Sequence, residues 1–252
     1  MVNTLDTALR WSGRELAPVA GAPAAALLAA DSWLVDEGYE RAPGAHWARF
    51  AASCGQLGVE REQLAAFRAA ATAALPAEGR WFPRVELTGD GLALRLRRAP
   101  PPARESRVLV GSPGDPRRCP QRKGPDLVLL GGLREQARAA GADELLLCDA
   151  EGRLLEGALS SLLWWEGDAL CTTPDETALP GVTRGLLLGI ARARGIEVRR
   201  RASRPGELAD REAWLASALH GIRVVSAWVA PRQEAGPPLR APEWREMLDA
   251  DG

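Results

Sequence analysis

Lysine occurs once in this 252-residue chain, at Lys123, so 31 of its 32 Lys-plus-Arg cations are arginine. A bias toward arginine codons accounts for the count but not for the exception. A guanidinium stays protonated and cannot form an imine, whereas a primary amine can lose its proton and attack a carbonyl carbon. Position 123 is therefore the candidate nucleophile. Arg117, Arg118 and Arg122 are its sequence neighbours. A cationic neighbourhood or burial would each depress the amine's pKa, and the same arginines would serve equally well as a solvated surface.

The chain is poorly supplied for other chemistries. Its two histidines are His46 and His220, and no G-x-S-x-G turn accompanies them, which disfavours a Ser-His-Asp triad or a histidine metal site. Cys54, Cys119, Cys148 and Cys171 are far apart and form no C-x-x-C pair, so they read as free buried thiols in a reducing cytoplasm, not as zinc ligands or a disulfide framework. No metal is expected. No G-x-G-x-x-G follows a strand, which disfavours a dinucleotide fold.

Composition limits the partners. The net charge of −1 offers no field for nucleic acid or an anionic membrane, and the short cluster Arg199 to Arg201 reads as a solvated face. No run approaches the roughly 20 apolar residues that span a bilayer. Met1 to Arg14 has no continuous apolar core and does not read as a signal peptide. With 46% hydrophobic and 26% charged residues, the chain reads as globular, and a cytoplasmic location is expected.

The elements that must position Lys123 follow from periodicity. Residues 31–35 (DSWLV) look like a strand entering a turn. Trp47, Phe50, Ala51, Cys54 and Leu57 recur at three and four, a helix closed by Gly58, and residues 60–75 repeat the pattern. Residues 81–87 and 92–96 alternate around Thr88-Gly89-Asp90-Gly91, a hairpin. A short strand is expected at 108–110. Residues 112–123 are rich in Pro, Gly and Arg, so a linker is placed at 113–118 between domains 1–112 and 119–252. Beyond it come a helix at 126–140 with Asp126 as N-cap, strands at 144–148, 153–156, 159–165 and 169–172, an amphipathic helix at 182–194, and strands at 196–200, 213–216 and 224–229. The order is α+β, with mixed helices and strands joined by antiparallel hairpins.

The second half of the chain resembles the class IV pyridoxal-phosphate enzymes, the group of branched-chain and D-amino-acid aminotransferases and aminodeoxychorismate lyase. The resemblance is carried by GADELLLCDAEGRLLEGALSSLLWWEGDALCTT at 141–173 and LPGVTRGLL at 179–187, and more weakly by DSWLV and HWARF in the first half. It implies a two-domain fold-type IV enzyme, with a small N-terminal α/β domain and a larger C-terminal pseudo-barrel domain. It implies pyridoxal 5′-phosphate as cofactor and Lys123 as the Schiff-base residue. Glu156 matches the glutamate that pairs with the pyridine nitrogen. Val182 and Thr183 match the phosphate cradle at a helix N-terminus. Arg49 resembles the phosphate arginine of the HxxRL helix, and Ser217 and Ala218 align with a later phosphate-binding turn, where the usual hydroxyl is Ala218. Ser32 and His220 fall at substrate positions.

This sequence departs from the family pattern at Ala158, Ser161, Asp126 and Ala30-Asp31-Ser32. The departures leave the substrate open more than the cofactor. The resemblance implies a homodimeric aminotransferase that moves an amino group between an amino acid and a 2-oxo acid. A lyase releasing pyruvate is the alternative, and a non-catalytic binding or dimer scaffold is a third reading.

Overall fold

The computed structural model describes residues 7–19 and 25–251. Contacts divide the chain into two units, Met1–Pro101 with Arg122–Pro125, and Pro102–Gln121 with Asp126–Gly252. The division falls ahead of the expected linker at 113–118. The physical reason is the strand at Glu105–Val110, which is hydrogen-bonded on both sides to strands of the second unit and so belongs with them.

The first unit contains β1 (Thr7–Trp11), β2 (Leu16–Pro18), β3 (Leu27–Ser32), β4 (Val35–Asp36), β5 (Tyr39–Glu40), α1 (Pro43–Gln56), α2 (Arg61–Ala73), β6 (Arg80–Trp81), β7 (Arg84–Thr88) and β8 (Gly91–Leu96). A five-stranded sheet runs in the order β2-β1-β8-β7-β3 with every pair antiparallel, and β5-β4-β6 form a smaller sheet. Side chains alternate across the five-stranded sheet. Ala29, Val85, Leu87, Leu92 and Leu94 join Trp47, Phe50 and Cys54 of α1 and Leu64, Phe67 and Ala71 of α2 in one core. The intervening residues Ser32, Arg84, Glu86 and Arg95 therefore share the opposite face.

The second unit contains β9 (Glu105–Val110), α3 (Leu127–Ala139), β10 (Glu144–Cys148), β11 (Leu154–Gly157), β12 (Ser161–Glu166), β13 (Ala169–Thr172), α4 (Val182–Ala193), β14 (Val198–Arg200), β15 (Ala213–Ser217), β16 (Gly221–Ala230) and α5 (Ala241–Asp251). Its eight-stranded sheet has the order β11-β10-β9-β16-β15-β12-β13-β14. The β9–β10, β9–β16 and β13–β14 pairs are parallel and the others antiparallel, the mixed pattern expected of an α+β chain. Trp165, Trp214 and Trp244 cluster with α4 and α5 on one face, and Leu162, Trp164, Leu215 and Val225 pack on the other. Burial on both faces explains why these strands read as continuous apolar runs.

Two local expectations change. Asp126 occupies the N-cap position of α3 but makes no side-chain cap; its carboxylate instead accepts the N–H groups of Arg118 and Cys119, at 3.1 and 2.8 Å. The helix α5 was not anticipated, although Ala241, Trp244 and Leu248 supply a three-and-four stripe that is buried.

Candidate functional site

Lys123 is placed by a backbone that only glycine permits. The segment Arg122–Pro125 belongs to the first unit, where the Ala30 N–H of β3 donates to the Lys123 carbonyl at 2.8 Å. The next residue, Gly124, has φ +138°, and a Cβ there would lie 2.7 Å from the Ala29 Cα. Any side chain would push the segment off the strand.

Lys123 is half-buried. Burial pushes Lys123 down to about 8; the charges of Arg49, Arg97 and Arg84 push the same way, and Asp31 opposes them. The leading cations are thus long-range neighbours and not the adjacent Arg117, Arg118 and Arg122 that sequence proximity suggested. Arg118 engages Asp126 through its backbone, Arg122 Nη2 lies 3.5 Å from Gln56 Oε1, and Arg117 is committed in the second unit.

Asp31 organises this surrounding. It is wholly buried on β3 and accepts the Ser32 N–H at 2.8 Å, His46 Nδ1–H at 2.8 Å, and Arg49 Nε–H and Nη2–H at 2.7 and 2.8 Å. Burial alone would raise its pKa. The hydrogen bonds from His46 and Arg49, then the charges of Arg49 and Lys123, hold it well below the usual carboxylate range. His46 is pushed down, first by burial and then by Arg49 and Lys123, against the pull of Asp31. A neutral His46 donating from Nδ1 satisfies both observations. Arg49 and His46 lie one helical turn apart on α1, so one carboxylate clamps both. Ser32 is buried, and its Oγ accepts Arg97 Nη2–H at 3.2 Å.

In the second unit Glu156 lies on β11 and is 6% exposed. Its Oε1 accepts a short hydrogen bond from Arg117 Nη1 and the Leu179 N–H at 3.0 Å. Oε2 accepts none among the described residues. Arg117 is anchored by Asp115, at 2.9 Å from Nε and 2.8 Å from Nη2, and donates to the Thr177 carbonyl at 2.8 Å. Burial pushes Glu156 up to about 7, with the Arg117 guanidinium and the Leu179 N–H pulling it back. Arg117 is the residue sequence reasoning missed here, because its partner is 39 positions away.

Val182 and Thr183 open α4, as expected. The N-cap Gly181 is extended and has no side chain to cap the helix, and the first turn carries no acidic residue, so the first-turn N–H groups at the positive end of the helix dipole are not capped from within the helix. A Cβ at Gly181 would lie 2.4 Å from Ser161 Oγ, so the approach to this turn is as tight as glycine allows. Arg184, in the same turn, is buried; its Nη2 donates to Asp175 at 2.9 Å and its Nη1 has no hydrogen-bond partner among the described residues. Ser217 and Ala218 stand where β15 turns into β16. Ser217 Oγ accepts the His220 N–H at 3.4 Å, and His220 Nδ1 accepts the Ala103 N–H at 3.2 Å.

In the first unit Arg49 is held by Asp31 on the helix side of the sheet and Ser32 meets Arg97 on the other side, while the charges of Arg49, Asp31 and Arg97 all reach the Lys123 amine. The structure gathers Glu156, Val182 and Thr183 around Arg117 and Arg184 in the second, with Ser217, Ala218 and His220 in a separate turn of that unit. Among the described residues, no group of three or more His, Cys, Asp or Glu could hold a metal ion. No helix among them is long and apolar enough to cross a membrane.

Comparison with known proteins gives the following. The family model for class IV amino-transferases matches residues 29–228. The fold is similar to that of a hypothetical aminotransferase from Mycobacterium tuberculosis in its PLP-bound form (TM-score 0.79, 21% identity, 98% of each chain covered). It is also similar to the fold IV-transaminase CpuTA1 from Curtobacterium pusillum (TM-score 0.79, 20% identity, 97% of each chain). A putative 4-amino-4-deoxychorismate lyase from Legionella pneumophila matches at TM-score 0.72 and 18% identity, over 89% of this chain and 91% of that one. No curated protein sequence matches the chain.

Proposed function

We infer the activity from one premise: the chain belongs to the class IV amino-transferase family. On that premise we propose a pyridoxal 5′-phosphate enzyme that moves an amino group between an amino acid and a 2-oxo acid. The observation that carries the proposal is the state of the sole lysine, a half-buried primary amine held against β3 whose pKa is brought down to about 8. Near neutral pH a useful fraction of such an amine is unprotonated, as covalent attachment and proton transfer both require.

The donor set suits this cofactor. Lys123 offers the amine, the uncapped start of α4 at Val182 and Thr183 offers N–H donors for a phosphate, and Glu156 Oε2 is free to face a ring nitrogen. When bound, the cofactor supplies an electron sink for the electrons left on the substrate α-carbon. Arg117 fixes the Glu156 carboxylate through Oε1 and favours its ionised form. Asp31 fixes Arg49, which in this reading adds a guanidinium for the phosphate. Ser217 and Ala218 add backbone donors, and Ser32 and His220 line the substrate position. Lys123 Nζ would be the group that takes and returns the α-proton. The enzyme acts as a cytoplasmic homodimer in this reading.

The test is a half-reaction. Adding an amino donor to the cofactor-loaded protein converts the aldehyde spectrum to the amine spectrum, and a 2-oxo acid restores it with formation of a new amino acid. Pyruvate release from aminodeoxychorismate without amino transfer would favour the lyase instead. Absence of both reactions would leave only the scaffold reading and overturn the proposal.

A further inference from the structure

Glu156 sits on an edge strand of the second unit's sheet. β11 pairs with β10 alone, and their register shifts between Leu146 and Cys148. Directly after Glu156, residues 157–160 turn the chain into β12. The Ser160 N–H closes the turn on the Gly157 carbonyl at 3.4 Å, and the Ala158 N–H joins it to β10 by donating to the Leu145 carbonyl at 2.8 Å.

A buried ion pair that the proposed chemistry does not use lies against this turn. Glu144, the first residue of β10, is wholly buried, and Arg223 on β16 is 3% exposed. Arg223 Nη2 donates to Glu144 Oε2 at 2.9 Å, and Ser160 Oγ donates to the same oxygen at 3.3 Å. Side chains alternate along a strand, so Glu144 shares the face of Leu146, and Arg223 that of Val225, in one core. β9 separates β10 from β16, so the Arg223 side chain crosses β9 to reach its partner. At the other end Glu144 meets the turn: a Cβ at Gly157 would overlap Ser160 Oγ and lie 3.1 Å from Glu144 Cγ. The pair is a poor stabiliser. Glu144 Oε1 and Arg223 Nε are buried with no hydrogen-bond partner among the described residues, and an incompletely bonded pair does not return the cost of burying two charges. Stability therefore does not explain the pair; its contact with the turn does.

We propose that Glu144 and Arg223 are positioning residues: through Ser160 and Gly157 their ion pair ties the 157–160 turn to β10 and β16, and so holds the Glu156 carboxylate in line with Arg117 and the Leu179 N–H. The inference rests on the aminotransferase reading only in giving Glu156 a cofactor ring nitrogen to face. The pair does not act on Glu156 through its field, because the charges that lead there are those of Arg117 and Arg184. It acts by placement. Its loss loosens the two hydrogen bonds that pull the buried Glu156 carboxyl down.

The test reads Glu156 itself. Carbon-13 NMR of the cofactor-free protein, labelled at the glutamate side-chain carboxyl and assigned with Glu156→Gln, follows a titration expected near pH 7. Ser160→Ala cuts the link to the turn and keeps the ion pair. Glu144→Leu together with Arg223→Met removes the pair at equal net charge and nearly equal volume, an exchange that buried pairs tolerate. Each variant is expected to raise the Glu156 midpoint by at least about half a pH unit, about threefold in its protonation equilibrium, in protein still folded by near-ultraviolet circular dichroism. An unchanged midpoint in Ser160→Ala overturns the brace, as does one in the folded double variant; if the double variant does not fold, Ser160→Ala decides alone. A midpoint that falls overturns it too, because the two hydrogen bonds are then not what the pair maintains. In the cofactor-loaded protein the pH profile of the visible band is expected to move alkaline with Glu156. A band that stays fixed while Glu156 moves refutes the facing of Glu156 to the cofactor and leaves the brace standing.

Discussion

Replacing Lys123 by Met in the cofactor-free protein should stabilise it at neutral pH and not at high pH. Lys123 is half-buried, and desolvation together with the guanidiniums of Arg49, Arg97 and Arg84 lowers its pKa from the usual 10.5 to about 8. At about 1.4 kcal/mol for each tenfold change in a protonation equilibrium, that displacement is worth about 3 kcal/mol. The sign follows from proton counting. Between pH 8 and 10.5 the unfolded chain holds a proton at this lysine that the folded chain has released, so stability rises with pH across that window. Below pH 8 the folded protein bears the whole penalty of an ammonium that is partly desolvated and faces other cations. Met fills nearly the same volume without charge and leaves the backbone acceptor for Ala30 in place. The assay is urea denaturation of wild type and Lys123→Met at pH 7 and again near pH 10.5, followed by tryptophan fluorescence. Every other titrating group is common to both proteins, so the difference between the two differences isolates this amine. The variant should lead by about 3 kcal/mol more at pH 7 than at pH 10.5. An advantage independent of pH would refute the claim that the lysine sits in a penalising environment.

Two further outcomes follow from the same geometry. Arg117→Gln removes the cation that pulls Glu156 down, so the Glu156 pKa should climb above about 7. The pH profile of the bound-cofactor spectrum should shift alkaline with it; an unchanged profile would mean that Glu156 does not address the cofactor. Gly124→Ala must move a Cβ away from the Ala29 Cα, now 2.7 Å distant, at a φ of +138°. Stability should fall by about 1–3 kcal/mol in urea denaturation, with loss of cofactor incorporation, and full incorporation would refute the placement of Lys123 by this glycine.

How much of this was legible in the sequence depends on the reach of each interaction. Lys123 stands out because every other Lys-or-Arg cation in the chain is arginine. Glu156 and Val182-Thr183 lay in continuous motifs whose turns and helix start are local signals, and α1, α2, α4 and the β7–β8 hairpin follow from periodicity alone. Asp31 was visible only as a departure from the family pattern. Its role depends on His46 and Arg49, which are 15 and 18 residues away and become neighbours only when α1 packs on β3. Arg117 misled because nearness in sequence suggested Lys123, whereas the chain crosses from one unit to the other between them. The contact division falls ahead of the linker expected at 113–118 for a related reason. Glu105–Val110 looks like a lone short strand until its parallel partners β10 and β16 are known, and parallel pairing leaves no local signal.

The central claim is that Lys123 holds the cofactor, and its most direct measurement is chemical. The protein is loaded with pyridoxal 5′-phosphate, reduced with borohydride, digested and mapped by mass spectrometry. The account predicts bleaching of the visible band and a single phosphopyridoxyl adduct on the peptide containing Lys123, with neither band nor adduct in Lys123→Met. A band that persists in that variant, or an adduct found only on the N-terminal amine, would contradict it.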